Sequence, residues 1–176
     1  MEEALSGGRH DVMIHNGWDV DHGTLPLEDQ EHTYRIGLPA YEGGANALES
    51  DLIRAKARIA SLQGQGGANP EYVRAPFGKR DPATLLTYAD YGLAHKHWHV
   101  DSGDTATTNP AVISAVLEAQ ILAQLAVGNR DIVVLFHDVH GHTASNIGTF
   151  VAEIQALVVA QGFIPVFRKK PLPNLP

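Results

Sequence analysis

The octapeptide DIVVLFHD, Asp131–Asp138, decides the fold class of this chain. Its centre is almost continuously apolar, which is typical of a strand that is covered on both faces. Apolar residues recur at helical spacing before it, from Ile113 to Leu125, and after it, from Ile147 to Val158. Strand and helix patterns alternate in the same way through the rest of the chain. The alternation predicts an α/β fold whose parallel strands are covered by helices, as an open sheet or a barrel.

Local signals place the other elements. A helix is predicted from Asn46 to about Leu62, and another starts with Asp81 as its N-cap and Pro82 at its first position. The last helix is predicted to begin at Asn146. Four further segments are predicted as strands: HDVMIH (10–15), EYVRA (71–75), LAHKHWHVD (93–101) and FIPVF (163–167).

Length, charge and cysteine content narrow the classes of function. With 176 residues, the chain is expected to form one domain over residues 1–170, followed by a proline-rich tail over 171–176. The formal net charge of −7 argues against a nucleic-acid or anionic-membrane partner. The chain has no cysteine, which excludes disulfides, thiolate ligands and a cysteine nucleophile. No apolar run approaches the roughly 20 residues of a membrane span, and the opening MEEALSGG is not a signal peptide.

Polar side chains stand at one end of the predicted strands. The strands end at His15, Arg74, Asp101 and His137. Because the C-terminal ends of parallel strands meet at one edge of an α/β fold, functional groups gather there. This coincidence predicts a functional site from the residues alone.

The segment MIHNGWDVDHG, Met13–Gly23, is a candidate metal site. His15 and Asp19 are four residues apart, which places both side chains on one face of a helical turn, and His22 offers a further ligand. Imidazole and carboxylate ligands suit zinc, or a similar divalent ion such as cobalt or nickel. The alternative is a polar loop in which the aspartates bond backbone amides.

A second group of histidines forms a rival metal site. In HKHWHVD, three histidines alternate on one predicted strand face: His95, His97 and His99. We favour the alternative that this is a polar strand face turned toward a neighbouring helix or lid. His140 and His142 are expected to be solvent-exposed loop residues rather than ligands.

Four segments together resemble the polysaccharide deacetylases, carbohydrate esterase family 4. RAPFG (Arg74–Gly78) is similar to the family's Arg-x-Pro-aromatic-Gly motif, and HVDSGDT (His99–Thr105) is similar to its Asp-x-x-Asp-Trp motif. VVLFHD (Val133–Asp138) is similar to its Leu-x-His-Asp motif. GGRHDVMIHNGWD (Gly7–Asp19) resembles the segment that carries the family's His-x-x-x-His metal pair.

The resemblance implies an incomplete or deformed (β/α) barrel and a metal-dependent deacetylase. The expected substrate is an acetylated polysaccharide or oligosaccharide with N-acetyl amino sugars, chitin-like or peptidoglycan-like, and the expected location is secreted or in the cell envelope. In such enzymes a zinc ion polarises the acetamide carbonyl and activates water. The implied site residues are His137 as general acid, Asp101 orienting His137, Arg74 holding the base carboxylate, Leu135, Pro76 and Phe77 against the substrate, and His15, Asp19 and His22 on the metal.

The sequence also departs from the family pattern. The family's Thr-Phe-Asp-Asp-Gly motif, which supplies the general base and a metal ligand, has no counterpart here, and Thr105 replaces the tryptophan of the Asp-x-x-Asp-Trp motif. Two alternatives therefore stay open: an O-acetyl xylan esterase, and a degenerate domain that binds glycan or metal without turnover. The chain is expected to lack some strands of the family's fold. Their absence would leave a sheet edge and an apolar patch exposed, which predicts a homo-oligomer.

Overall fold

The structure is a computed structural model that describes residues 13–15, 23, 25–27, 44–63 and 70–167. These residues form two compact units, one up to His97 and one from Trp98 onward. Each unit has its own pair of parallel strands and its own apolar core. The expectation of one domain over residues 1–170 stays a prediction.

Within the described ranges, the first unit contains two helices, two short strands and a 3₁₀ turn. They are α1 (Ala47–Gln63), β1 (Tyr72–Val73), the turn Pro76–Gly78, α2 (Pro82–Asp90) and β2 (Ala94–His95). The predicted start of α2 is confirmed, because the Asp81 carboxylate accepts a hydrogen bond from Thr84 N at 2.7 Å and Pro82 follows it. The predicted helix from Asn46 is confirmed within one residue at each end.

Parallel pairing aligns the strand ends of the first unit. Ile14 lies beside β1, where Ile14 N donates to Tyr72 O at 2.9 Å and Arg74 N donates to Ile14 O at 2.8 Å. On its other side β1 pairs in parallel with β2. As predicted, His15 and Arg74 therefore follow neighbouring parallel segments. The core behind them is apolar and buried: Ile14, Leu48, Leu52, Ile59, Val73, Tyr88 and Leu93.

The second unit repeats the pattern of strand and helix. Its elements are β3 (Val100–Asp101), α3 (Pro110–Ala126), β4 (Val134–Leu135) and α4 (Gly141–Ala160). Strand β3 pairs in parallel with β4, with Val100 opposite Val134. The buried core consists of Val100, Ile113, Leu117, Ile121 and Phe150. Asp101 is thus the last residue of β3, and His137 follows β4 by two residues.

Two predicted strands are wrong in their extent. The segment 93–101 is divided into β2 and β3, because β2 pairs with β1 whereas β3 pairs with β4. Residues 163–167 form no strand, since Pro165 has no N–H to donate and Phe163 N bonds Val158 O at the end of α4 instead. Within the described ranges no sheet closes, so the predicted barrel shape is not seen.

Helix α4 carries apolar residues on faces that do not pack against the core of its unit. Phe150 is buried, while four apolar residues of α4 and the segment after it are largely exposed: Val159, Ile164, Val166 and Phe167. Among the described residues, α4 has the length and mean hydropathy of a helix that could span a membrane, which differs from the prediction that no apolar run approaches such a span. The predicted homo-oligomer through an apolar patch stays a prediction.

Candidate functional site

A tight turn follows β3 and carries both aspartates of the DSGD segment. The Asp101 carboxylate accepts a hydrogen bond from Gly103 N at 2.9 Å, which closes the turn. Gly103 has a φ of +71°, in the left-handed region that side chains other than glycine rarely adopt. The chain reverses here and brings Asp104 beneath the residues that follow β4.

The amide of Gln120 on α3 holds the start of this turn. Asp101 N donates to Gln120 Oε1 at 3.0 Å, and Gln120 Nε2 donates to Asp101 O at 2.7 Å. In a wider sheet, a neighbouring strand would form hydrogen bonds with the same two groups, the backbone N–H and C=O of Asp101. Gln120 therefore satisfies the backbone of the last β3 residue with a side chain.

Asp104 and His137 form the central pair of the second unit. The ring Nδ1 of His137 lies 2.7 Å from Asp104 Oδ1, and the backbone N of His137 donates to Oδ2 at 2.7 Å. Thr143 Oγ1 donates to the same Oδ2 at 2.8 Å. The Asp104 side chain is 0% exposed, whereas that of His137 is 33% exposed. A buried carboxylate thus supports an imidazole that solvent can reach.

These contacts set the charge of Asp104 and the orientation of the ring. Burial acts to raise the pKa of Asp104, but the hydrogen bonds from the backbone and ring of His137 and from Thr143 outweigh it and hold this pKa below its usual value. An ionised Asp104 accepts a hydrogen bond from the protonated Nδ1 of His137, which leaves Nε2 as the nitrogen that exchanges protons with a reacting group. The pair can therefore perform acid–base chemistry.

The partner of His137 is a correction to the implied role of Asp101. The carboxylate that contacts His137 is that of Asp104, three residues later, because the Asp101 carboxylate is used to close the turn on Gly103 N. The sequence patterns did not predict Asp104 as the partner of His137. The available signal was Gly103, a glycine placed where the chain must reverse between two aspartates. Any direct role of Asp101 in catalysis stays a prediction.

We expect Gly103→Ala to lower the free energy of unfolding by about 1–2 kcal/mol, because alanine is strained at this φ. An added Cβ would meet only Val116 Cγ1, at 3.9 Å, so the effect isolates the backbone. Gly148→Ala within α4 is the matched control, and it should raise stability by about 0.5–1 kcal/mol. Urea unfolding of both variants checks this. Equal changes in the two variants would contradict the left-handed turn.

His140 and His142 lie in the first turn region of α4 rather than in a loop. The rings of His140 and His142 stack with centroids 5.4 Å apart, and the His140 ring is 6.0 Å from that of His137. His142 is half-buried, and its Nε2 donates to Asp104 O at 2.9 Å. The expectation of two solvent-exposed loop histidines is therefore wrong for His142.

His15 is the predicted metal ligand that the structure describes. Its Nδ1 donates to Arg74 O at 2.8 Å, which leaves the lone pair of the neutral ring on Nε2. Metal-bound histidines usually donate their other ring N–H in this way, so the His15 ring fits a ligand. Asp19 and His22 lie outside the described residues. Within the described ranges no three histidines or carboxylates converge as a metal site, so the described part of the chain does not complete one.

The three predicted substrate residues occupy different environments. Phe77 lies in the turn Pro76–Gly78 with a φ of 55°, and its side chain is 61% exposed, whereas Pro76 is buried. Leu135 in β4 is buried as well. Contact with substrate, and the pairing of Arg74 with a base carboxylate, stay predictions.

No protein-family model and no curated protein matches the chain. Among solved structures it is similar to a wild-type carbohydrate esterase family 4 pseudoenzyme from Bacillus anthracis, with a TM-score of 0.65 and 15% identity, over 93% of this chain and 46% of that one. The chain has the polysaccharide deacetylase fold of carbohydrate esterase family 4.

Two further solved structures share the deacetylase fold. A mutant of that family 4 pseudoenzyme with restored enzymatic activity matches with a TM-score of 0.57 and 15% identity, over 93% of this chain and 57% of that one. The chitin deacetylase of the fungal pathogen Colletotrichum lindemuthianum matches with a TM-score of 0.51 and 19% identity, over 67% of this chain and 52% of that one. The chain thus spans about half the length of these structures.

The rival histidine group does not form a single strand face on the deacetylase fold. His95 belongs to β2, where its ring stacks on Tyr88 with centroids 6.1 Å apart. His99 precedes β3, and its Nδ1 accepts a hydrogen bond from Val133 N at 2.9 Å. The predicted common face of His95, His97 and His99 is therefore wrong, because the strand is divided between them.

His95 should make stability depend on pH. Burial, followed by the positive charges of Arg80, His97 and Lys96, lowers its pKa to about 4. Its Nε2 is buried and has no hydrogen-bond partner within the described residues. Since an unfolded histidine has a pKa of about 6.5, the unfolded chain binds the proton first. The stability that neutral His95 contributes is complete above pH 6.5 and is lost as the pH falls toward 4.

We expect His95→Phe to reduce this loss, since phenylalanine keeps the stacked ring and does not titrate. Urea unfolding of the parent and the variant between pH 4.5 and 7.5 measures the effect. His140→Phe is a control for removing a histidine elsewhere in the chain. Identical pH dependence of the parent and His95→Phe would show that His95 is not the responsible group.

Proposed function

We propose that the chain hydrolyses acetyl groups on a glycan, as a carbohydrate esterase, and that its substrate is an N-acetylated amino-sugar polymer. The observation that carries the proposal is the pair of buried Asp104 and accessible His137, placed where β3 and β4 end. Catalytic groups of α/β folds gather at this end of the strands. The deacetylase fold of the solved neighbours supports the same class of reaction.

His137 has the geometry of a general acid. The attacking water passes one proton to solvent water as its oxygen bonds the acetamide carbon, and collapse of the resulting tetrahedral intermediate breaks the C–N bond. The proton on His137 Nε2 passes to the leaving nitrogen, so that the sugar departs as a free amine and the acetyl group as acetate. The Asp104 carboxylate accepts a hydrogen bond from Nδ1, which orients the ring so that Nε2 is the nitrogen that donates the proton.

A divalent ion, zinc first among those expected and cobalt or nickel otherwise, would polarise the carbonyl oxygen when bound. His15, whose Nδ1 bonds Arg74 O, is the first proposed ligand, and Asp19 and His22 are the proposed further ligands. The described residues alone do not complete a ligand set.

The test is acetate release from N-acetylglucosamine oligomers and from acetylated xylan. The protein is first stripped of metal and then supplied with zinc, cobalt or nickel. We expect zinc-dependent release from the N-acetylated oligomers. Release from xylan alone would replace the proposal with the O-acetyl esterase alternative. No release from folded protein under any condition would overturn the enzymatic proposal.

A second candidate function is glycan binding without turnover. One solved neighbour is described as a pseudoenzyme, and the Asp-Asp motif that supplies the family's general base has no counterpart in this sequence. Calorimetric titration with the same oligomers separates the two functions. Saturable binding without acetate release would support this candidate, whereas release would exclude it.

A further inference from the structure

Asp104 is held from a third direction by the first turn of α4. Thr143 is 1% exposed, and its hydroxyl donates to Asp104 Oδ2 at 2.8 Å. His142, its neighbour in sequence, donates from Nε2 to Asp104 O at 2.9 Å. His142 thus bonds the backbone carbonyl of Asp104, and Thr143, the next residue, bonds its carboxylate.

The direction of the Thr143 hydroxyl distinguishes it from an ordinary helical threonine. Threonines in helices commonly donate to the carbonyl three or four residues earlier. Buried Thr87 of α2 does so, donating to Ala83 O at 3.0 Å. Thr143 donates across to Asp104 instead. The N-cap residue of α4, His140, makes no side-chain capping bond, so the polar contacts of this first turn are directed at Asp104.

This contact divides the two carboxylate oxygens of Asp104 between different donors. Oδ2 accepts from His137 N and Thr143 Oγ1, which leaves Oδ1 for the ring Nδ1 of His137. Without the hydrogen bond from Thr143, the Asp104 carboxylate could rotate about its χ2 torsion, because the preferred range of this terminal torsion is broad. The positive end of the α4 dipole also favours the ionised form of Asp104.

We propose that Thr143 and His142 are positioning residues that hold Asp104, and through it the ring of His137, in the geometry for acid–base chemistry. The catalytic part of this inference rests on the proposed function. The positioning itself is a property of the second unit and can be measured without turnover.

The test compares Thr143→Val, which removes the hydroxyl, with Thr143→Ser, which keeps it. Thr149→Val, at an exposed position of the same helix, is the matched control. We expect Thr143→Val to lower kcat about tenfold with little change in KM, as for the loss of one hydrogen bond, and Thr143→Ser to restore kcat. A loss of unfolding free energy with kcat equal to that of Thr149→Val would overturn the inference.

A spectroscopic arm separates this inference from the proposed function. The Nδ1–H proton of His137 is observed by ring ¹⁵N-resolved NMR in the parent and the variants. We expect faster exchange with water in Thr143→Val and in His142→Phe, and parent-like exchange in Thr143→Ser. If the parent releases no acetate and Thr143→Val still accelerates exchange, the proposed function fails while the positioning stands. Unchanged exchange in Thr143→Val would overturn the positioning.

Discussion

Asp104→Asn should lower the free energy of unfolding by about 1–3 kcal/mol, as expected when a buried carboxylate is replaced by a group that cannot accept all of its hydrogen bonds. Three donors point at the carboxylate, from His137 N, His137 Nδ1 and Thr143 Oγ1. An asparagine amide accepts through one atom alone, and its NH₂ group faces at least one of these donors. A buried donor is then left unsatisfied, which is costly.

Asp101→Asn is the matched control for this variant. Its Oδ1 can still accept the Gly103 N–H, so its stability should change by within about 0.5 kcal/mol. Urea unfolding at neutral pH measures both. The contribution of ionised Asp104 is present above the unfolded pKa of about 3.9 and is lost as the pH falls through the lower folded value. A larger loss for Asp101→Asn than for Asp104→Asn would reverse the assignment of the supporting carboxylate.

His137→Ala should lower kcat/KM for acetate release by about 100- to 10,000-fold, the range for loss of a positioned acid or base. The leaving amine then departs without a proton from Nε2. His140→Ala is the matched control, because its ring lies 6.0 Å from that of His137 and it bonds no part of Asp104 among the described contacts. This control should keep about the parent's rate.

Initial rates on N-acetylglucosamine oligomers, at one zinc concentration, provide the comparison. Circular dichroism shows whether each variant is folded. Parent-like release by folded His137→Ala would remove the general-acid role. Equal losses in His137→Ala and His140→Ala would indicate that the whole histidine cluster, rather than one ring, supports the reaction.

Local patterns predicted α1 and the start of α2 well. The Asp81–Pro82 start of α2 and the apolar spacing of α1 depend on neighbours in sequence, and both are confirmed. The extents of the strands depend on distant pairing. The division of residues 93–101 follows from β2 joining β1 and β3 joining β4, which no property of the segment itself encodes.

The partner of His137 was missed for a similar reason. An Asp-x-x-Asp pattern offers two carboxylates, and the left-handed turn at Gly103 decides which of them reaches the ring. Thr143 was missed because the last helix was predicted to begin at Asn146, whereas α4 begins at Gly141. Because glycine is a weak helix former, a helix that begins at Gly141 has no local sequence signal in its first turn from which its start could be predicted.

The central claim is that buried Asp104 holds the ring of His137 with its proton on Nδ1, so that Nε2 is the nitrogen that exchanges protons with a reacting group. Ring ¹⁵N NMR of His137 in the parent, Asp104→Asn and Asp101→Asn proteins tests it most directly. The account predicts the Nδ1–H form in the parent, its loss in Asp104→Asn and its retention in Asp101→Asn. An Nε2–H form in the parent, or loss of the Nδ1–H form in Asp101→Asn alone, would contradict it.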